Sequence, residues 1–490
     1  MNPRLRVYVA TGVTALLAVW AGRELAMENY FWPVLMLFLA VTAILTRIFA
    51  LPLDTITLGL VTFGYLVGNR GFAQLMPAPN IPLLPAEAAL LFCGCWAFVG
   101  SLRETRMLWR VDLLNWCVLA WLVAGTAHII FDVRVHGFQA LRDFATVYYA
   151  GFFFLAQRAA RQSEEAARYL MQAIVAGCVL LPVLSLLYEI VPEFFQNNFR
   201  VHGIPVLLYK GDLALMFTGV SAVILFHWAQ GRNRLWAWPY ATLLFMMVLA
   251  RESRATILGG VAVLVLLVAA RRWVFPMVQV SAGLCGLVLI AGLAVVGGND
   301  WANERLQTVQ AHLSSIVGPL QSAGNVDADL LYKWDNNQFR LVWWKNVAFE
   351  TWEKQPVFGL GFGHDLADEF ARIYYPEAAD DFSARSPHNV ALTVFGRMGA
   401  SGLLIWLAFC ATLLRCTWRS LRRTDDRAAW GRWLALVIIL VAAHLQVILE
   451  GPMGAVPFWV LLGLAHGADT ARTENKDNAT LRPAGENASA

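Results

Sequence analysis

Ser386-Pro387-His388-Asn389 joins a long polar segment to an apolar helix, and it places two side chains suited to chemistry at that boundary. A neutral imidazole accepts a proton near neutral pH, so His388 is a candidate general base. Asn389 can orient a neighbouring group through hydrogen bonds. Because a histidine at a helix end is more often a structural cap, the pair indicates catalysis only if cationic partners lie nearby.

Arg254 is the first candidate partner, within the sequence ESRAT (252–256) at a turn between two apolar segments. A guanidinium presents a rigid fork of donors that suits phosphate oxygens. The alternatives are an ion pair with Glu252 or snorkelling to lipid headgroups. Other basic residues that border apolar segments on the same predicted side are Arg142, Arg200, Lys210 and Arg251. An anionic ligand with two phosphates would use several such donors at once.

The composition predicts the scaffold that positions these residues. The chain has 490 residues, of which 58% are hydrophobic and 15% charged, whereas soluble domains carry about 25% charged residues. Apolar segments recur near 7–26, 31–46, 52–68, 85–101, 112–131, 142–157, 170–191, 211–229, 235–250, 255–271, 275–297, 389–415, 430–449 and 453–467. This pattern predicts an all-α polytopic membrane protein with 12–14 transmembrane helices, the first of which is not a removed signal peptide.

The distribution of lysine and arginine predicts the orientation and the domains. Most basic residues of the short loops lie on the side that also holds the N-terminus, which is therefore predicted to be cytoplasmic. We expect transmembrane helices with short loops in 1–297, a helical periplasmic loop in 298–387, with helices near 303–320 and 336–354, and further spans in 388–468. The polar tail 469–490 is predicted to be disordered and cytoplasmic.

The sequence lacks the motifs that usually accompany several kinds of enzyme chemistry. The chain contains no phosphate-binding loop of the Walker type, no HExxH, and no acidic pair of DxD type in its first outer loops. Asp380-Asp381 is the nearest acidic pair, and all seven cysteines lie in or beside apolar segments. We therefore predict no metal site, no cofactor and no nucleic-acid partner.

A set of spaced residues between Arg200 and Gly402 resembles the pattern of a known family. The set consists of Arg200 and Gly203, Ser253-Arg254-Ala255, Arg340, Trp344, Pro356, Gly359, Gly361, His388-Asn389, Gly399 and Gly402. It resembles the periplasmic-loop signature of the O-antigen ligases (lipid A-core:surface polymer ligases), which are related to O-antigen polymerases and protein O-oligosaccharyltransferases. The chain departs from the family where Lys210-Gly211-Asp212 replaces a more usual Asn-Pro-Asn-like stretch.

The resemblance implies a GT-C-like, inverting, metal-independent glycosyltransferase of the bacterial inner membrane, active in lipopolysaccharide biosynthesis. It would transfer a glycan from undecaprenyl diphosphate to the lipid A-core oligosaccharide at the periplasmic face. His388 would deprotonate the acceptor hydroxyl, and Arg254 would hold the diphosphate. The other predicted substrate-binding residues are Arg142, Arg200, Lys210, Arg251, Asn389 and Arg340.

Two other classes of function remain open from the sequence, a related glycosyltransferase and a transporter. An O-antigen polymerase or a protein O-oligosaccharyltransferase would share the donor and the chemistry, so only the acceptor distinguishes them. A lipid or sugar transporter would account for the polar residues His128, His227 and His444 within apolar segments. It is less favoured because the chain shows no matching halves, and we interpret these histidines as hydrogen-bonded packing or interfacial residues.

Overall fold

The computed structural model describes residues 19–24, 27, 31–76, 83–104, 110–201, 203–230, 236–250, 253–297, 328–374, 376 and 385–481. Several predicted features lie outside these residues: most of the first apolar segment, the helix near 303–320, Arg251 and the pair Asp380-Asp381.

The described part of the chain is almost entirely helical. Its helices are α1 (Phe31–Phe49), α2 (Leu53–Ala73), α3 (Pro85–Glu104), α4 (Leu113–His136), α5 (Phe138–Asp143), α6 (Ala145–Tyr148), α7 (Gly151–Gln162), α8 (Glu164–Ile190), α9 (Pro192–Asn197), α10 (Gly211–Gln230), α11 (Ala237–Ala250), α12 (Arg254–Ala269), α13 (Val274–Gly297), α14 (Ala328–Lys354), α15 (Asp368–Tyr374), α16 (Val390–Arg423), α17 (Arg427–Ala443) and α18 (Pro452–Leu481). A short antiparallel hairpin, β1 (Arg200–Val201) and β2 (Ile204–Pro205), pairs Val201 with Ile204.

Each apolar segment predicted after residue 30 corresponds to one helix, except 142–157, which is divided among α5, α6 and α7. Hydrogen bonds from Val147 N to Phe144 O (2.8 Å) and from Ala150 N to Val147 O (3.0 Å) tighten the chain there. In the described part of the chain, five helices are long and apolar enough to cross a membrane: Pro85–Leu102, Leu113–His136, Glu164–Ile190, Gly211–Ala229 and Val390–Arg423. The predicted all-α polytopic membrane fold is confirmed, whereas the total of 12–14 spans stays a prediction.

Close packing of α18 against α7 depends on two glycines one helical turn apart. A Cβ on Gly463 would lie 2.9 Å from the amide nitrogen of Gln157, and one on Gly467 would lie 2.8 Å from the carbonyl oxygen of Gln157. Ala156 and Ala160 present their methyl groups to the same two glycines. Small residues at this spacing let two membrane helices approach closely, as in small-xxx-small contacts.

The helices α12 and α17 run antiparallel, which defines the two ends of the bundle. Beyond the end of α12, Arg272 donates to the carbonyl oxygen of Leu421 (3.2 Å), just before α17 begins. Midway along the pair, a Cβ on Gly259 would lie 3.1 Å from the Cα of Ile438. We call the end that holds the start of α12, the end of α17 and the start of α16 the His388 end, and the other the opposite end.

The described residues of the long polar segment, from Ala328 onward, form a small domain at the His388 end. Helix α14 includes the predicted helix 336–354 and begins earlier, at Ala328. It packs against α15 through a separate core of Trp343, Val347, Leu366, Ala367 and Phe370. The stacked rings of Trp343 and Phe370 lie 5.6 Å apart. The aromatic residues of this segment therefore build a core of their own, and some of them also reach the His388 loop.

Helix α18 continues to Leu481, into the segment 469–490 for which polar composition predicts disorder. Asp469 accepts a hydrogen bond from Trp433 Nε1 (2.8 Å) and forms an ion pair with Arg432 (3.8 Å). These contacts hold the start of the polar segment on α17, so the helix extends beyond the predicted boundary.

We expect Gly463→Ala to destabilise the bundle, because the new methyl group would collide with the backbone of Phe153 and Gln157. Overpacking of this kind costs about 1–3 kcal/mol. Gly94→Ala is the matched control, since nothing lies within 4 Å of its Cβ position and an open helical Gly→Ala change stabilises by roughly 0.5–1 kcal/mol. Thermal unfolding in detergent, followed by size-exclusion chromatography, measures both. Equal unfolding temperatures for the two variants would contradict this packing.

Candidate active site

The loop segment 356–361 pairs through its backbone with an interruption in α16 at Gly399, where φ is 62° and ψ is −159°. The hydrogen bonds, donor first, are Leu360 N to Gly396 O (2.6 Å), Ala400 N to Pro356 O (2.8 Å), Ser401 N to Val357 O (3.1 Å) and Gly361 N to Arg397 O (3.2 Å). We call the paired segments 356–361 and 396–401 the clasp. It supplies partners to backbone groups that the interrupted helix leaves unpaired.

Glycine is required on both sides of the clasp. A Cβ on Gly359 would lie 2.5 Å from the amide nitrogens of Met398 and Gly399, and one on Gly399 would meet the carbonyl of Val357. Both residues also have positive φ, at 76° and 62°, a conformation that glycine adopts without a steric penalty. The spaced Pro-x-x-Gly-x-Gly motif and Gly399 are therefore two halves of one backbone contact.

Two carboxylates of the bundle anchor the residues that follow the clasp. Asp132 accepts a hydrogen bond from Phe362 N (2.7 Å), and Asp143 accepts one from Gly363 N (3.1 Å). Asp143 also forms an ion pair with Arg397 (3.2 Å), whose side chain is only 3% exposed. The loop domain is thus fixed to α4, α5 and α16.

Two consecutive tryptophans of α14 hold the loop that carries His388. Trp344 Nε1 donates to the carbonyl oxygen of Pro387 (2.6 Å), and the ring of Trp343 lies 5.9 Å from the imidazole in an edge-to-face arrangement. His388 itself has a φ of 55°. Non-glycine residues rarely adopt this conformation, and it persists only where the surroundings determine it.

The residues on either side of His388 have structural partners. Asn389 caps α16, because its side-chain oxygen accepts hydrogen bonds from Ala391 N (3.0 Å) and Leu392 N (3.2 Å). Glu450, which follows α17, accepts hydrogen bonds from the hydroxyl groups of Ser386 (2.6 Å) and Thr393 (3.0 Å). These contacts show that Asn389 positions the start of α16. Substrate binding by Asn389 stays a prediction from the sequence.

His388 lies in the field of two cations. Its pKa is lowered from 6.5 to about 4, chiefly by burial and then by the charges of Arg340 and Lys210, whereas Asp212 opposes them. Desolvation and nearby positive charge both disfavour the imidazolium form. The imidazole is therefore neutral at physiological pH and able to accept a proton.

Arg340 and Lys210 reach His388 from different parts of the bundle. Arg340 belongs to α14 and donates to the carbonyl oxygen of Leu445 (3.2 Å) beyond the end of α17; burial lowers its pKa, which the charge of Asp212 raises. Lys210 precedes α10, and its amide donates to the side-chain oxygen of Asn69 (3.2 Å) in α2. The electrostatic neighbourhood of His388 thus combines the loop domain with the start of α10.

Arg254 lies at the same end of the bundle. Gly259 is level with Ile438 in the antiparallel pair α12 and α17, so the first residue of α12 is level with the end of α17. That end is where Arg340 contacts Leu445. The structure therefore brings Arg254 to the end of the bundle that holds His388, Arg340 and Lys210.

The remaining predicted residues are placed differently. Arg200 turns back to α9, where it contacts the carbonyl of Gln196 and the side-chain oxygen of Asn197 (3.1 Å). Arg142 is exposed in the last turn of α5, and Arg251 lies outside the described residues. No described contact joins Arg142 or Arg200 to His388, so their proposed contact with substrate rests on sequence alone.

Sequence reasoning missed the residues that position the site. Asp132, Asp143 and Arg397 lie within or beside apolar segments, where an ionisable side chain is costly and signals a specific partner. Glu450 follows an apolar segment directly, which is the same signal. Among the described residues, no group of three or more His, Cys, Asp or Glu side chains is arranged to hold a metal ion.

Three histidines within apolar segments, which a transporter would account for, have different surroundings: His128, His227 and His444. His444 contacts Leu440 O through Nδ1 (2.8 Å) and accepts a hydrogen bond from Trp406 Nε1 (3.4 Å), as interpreted from the sequence. His227 differs, since neither of its ring nitrogens has a hydrogen-bond partner within the described ranges, and its ring stacks on Phe275 at 5.3 Å. His128 packs near Phe358, with ring centroids 6.0 Å apart.

We expect Gly399→Ala to open the clasp, because the methyl group would occupy the position of the Val357 carbonyl. Limited proteolysis should then cleave the 328–388 domain faster than in the unchanged protein. Gly137→Ala is the control, since Gly137 also has positive φ (57°) but nothing lies within 4 Å of its Cβ position. If the two variants are cleaved at the same rate, backbone conformation rather than the clasp governs this domain.

The chain was compared with known protein families and with curated proteins. Residues 239–407 match the family model described as O-antigen ligase, a range that contains Arg254, the whole of α14, the clasp and His388. No curated protein is significantly similar to the chain. The match confirms the resemblance predicted from the spaced residues. Over residues 239–407, the chain is therefore similar to the O-antigen ligase family.

Proposed function

We propose that the protein transfers O-antigen polysaccharide from undecaprenyl diphosphate to the lipid A-core oligosaccharide, at the periplasmic face of the bacterial inner membrane. The family supports a glycosyltransferase-like enzyme of ligase or polymerase type in lipopolysaccharide biosynthesis. The observation that carries the finer proposal is a neutral, half-buried imidazole in the field of two cations. That arrangement suits a base beside a diphosphate.

The proposed reaction is a single displacement. The neutral imidazole of His388 takes the proton of the acceptor hydroxyl, whose oxygen attacks the anomeric carbon of the donor sugar. The bond from that carbon to the phosphate oxygen breaks, and undecaprenyl diphosphate leaves with the electron pair. One displacement inverts the anomeric configuration. Arg254, Arg340 and Lys210 would stabilise the charge that grows on the leaving diphosphate.

The same cations explain how a weakly basic histidine could serve as the base. In the free protein, burial and then the charges of these cations hold the pKa of His388 near 4, which keeps it neutral but makes it a poor proton acceptor. A bound diphosphate would bring negative charge to Arg340 and Lys210 and would raise that pKa. The base would therefore strengthen when the donor is in place.

We expect His388→Ala to lower the rate of transfer by about 10²–10⁴-fold, the usual contribution of a general base, while donor affinity changes little. Arg254→Ala should instead weaken binding of the donor. The assay uses purified protein in lipid nanodiscs with a lipid-linked O-antigen donor, with and without EDTA. His364→Ala is the matched control, since His364 contacts Glu350 (3.1 Å) in the same loop domain.

Three acceptors separate the related activities: purified lipid A-core, a lipid-linked repeat unit and a pilin-like protein. Transfer to lipid A-core alone supports the ligase, and transfer only to the repeat unit or the protein would replace it with the polymerase or the oligosaccharyltransferase. Full activity of His388→Ala on every acceptor would exclude the mechanism. Transport of labelled lipid without glycan transfer would support the transporter instead.

The pH dependence tests the electrostatic arrangement. Protonation of His388 stops catalysis, so kcat/KM should be constant at neutral pH and should fall as the pH approaches about 4, the pKa in the free protein. Lys210→Gln removes a positive charge and should move this acidic limb to higher pH. Arg134→Gln, an exposed arginine in the last turn of α4, should leave the limb in place.

The acidic limb of the pH profile of kcat should lie at higher pH than that of kcat/KM. The reason is that kcat reports the pKa of His388 in the donor-bound protein, which the bound diphosphate would raise. An acidic limb that Lys210→Gln does not move would show that His388 is not the titrating base.

A further inference from the structure

Helix α2 is interrupted at the His388 end by Asn69, which has φ 51° and ψ −124°. The hairpin and the chain after it dock on this break. Gly71 N donates to Leu208 O (3.2 Å), and Tyr209 hydroxyl donates to Val67 O (2.6 Å). A Cβ on Gly71 would lie 2.6 Å from the carbonyl carbon of Val206, so glycine is required for this approach. The break is thus held in place by the segment that leads to Lys210.

The carboxamide of Asn69 is buried within this break, with 0% exposure. Its oxygen accepts hydrogen bonds from Arg70 N (2.9 Å) and Lys210 N (3.2 Å). Its Nδ2 group has no hydrogen-bond partner in the described part of the chain. A buried amide donor without an acceptor costs free energy, and the same carboxamide joins the two basic residues. The break therefore offers a donor group that an anion would satisfy.

Arg70 adds a second, charged donor beside it. Its side chain is exposed, and its amide nitrogen lies within roughly 6 Å of that of Lys210, since both bond to the same Asn69 oxygen. The charge of Lys210 acts on His388. Lys210 thus contacts the break in α2 through its amide and acts on His388 through its charge.

We propose that Asn69 and Arg70 bind the diphosphate of the lipid-linked donor alongside Lys210, at the phosphate that does not bear the sugar. This inference rests on the proposed function. The sugar-bearing phosphate must lie beside His388 for the bond to its sugar to break. The break is reached from His388 through Lys210, so it takes the other phosphate. Discontinuous membrane helices present donor groups to anionic substrates in a similar way. These two residues are then binding residues, and their contribution is to donor KM rather than to the chemical step.

The test compares Arg70→Gln with Arg134→Gln in the full-length protein in nanodiscs. Both remove an exposed arginine at the His388 end, but Arg134 lies on α4, which packs chiefly on α16 and α5. We expect Arg70→Gln to raise the donor KM about tenfold or more, the loss of a charge-assisted contact, with kcat nearly unchanged. Arg70→Lys should recover part of the affinity, because it restores the charge without the fork.

Direct binding of undecaprenyl diphosphate, with inorganic diphosphate and phosphatidylglycerol as competitors, identifies the ligand. The proposal is supported if Arg70→Gln weakens binding of both diphosphates and leaves phosphatidylglycerol unaffected. It is overturned if Arg70→Gln matches Arg134→Gln, or if only phosphatidylglycerol binding changes, which would make Arg70 a contact for membrane lipid. If the unchanged protein neither binds undecaprenyl diphosphate nor transfers glycan, the proposed function fails, and this inference fails with it.

Discussion

The backbone contact between residues 356–361 and the interruption of α16 is the constraint on which the site depends. It joins a polar domain to a membrane helix through main-chain hydrogen bonds, which no side-chain change nearby can replace. Asp132 and Asp143 extend the contact onto α4 and α5, and Trp344 extends it to the carbonyl just before His388. The position of one imidazole is thereby fixed by several separate segments of the chain, which is consistent with its retention of a rare backbone conformation.

Electrostatics at this site involve opposing requirements. A pocket for a diphosphate needs positive charge, whereas a general base needs a pKa near the working pH. Arg340 and Lys210 serve the first requirement and work against the second. The conflict is resolved if the anionic donor binds first, because its charge then offsets theirs. Asp212 lessens the conflict in the free protein, and it belongs to the Lys-Gly-Asp sequence by which this chain departs from the family it resembles.

Much of the scaffold could be predicted because hydropathy and charge are local signals. The apolar segments and the helix near 336–354 follow from composition and spacing, and the family match agrees with the spaced residues. Of the basic residues predicted around His388, Arg340 and Lys210 act on its charge. Local sequence patterns do not predict the breaks in α2 and α16, because each break is stabilised by a segment that is distant in the sequence. For the same reason the sequence alone did not show that the side-chain oxygen of Asn389 caps α16. The spacing of Arg200 and Gly203 matches the family pattern, but that spacing does not show that the guanidinium of Arg200 contacts α9.

The interruption at Gly399 also limits how this chain can diverge. Each hydrogen bond across the paired segments joins a fixed pair of positions, so one inserted residue between 356 and 361, or between 396 and 401, would displace the hydrogen-bond partners on one side of the insertion by one residue. The intervals that separate the motif residues must then keep their lengths even where their side chains change freely. Insertions and deletions among relatives should accumulate instead in connections that make no such pairing, so spacing records common ancestry here more durably than residue identity.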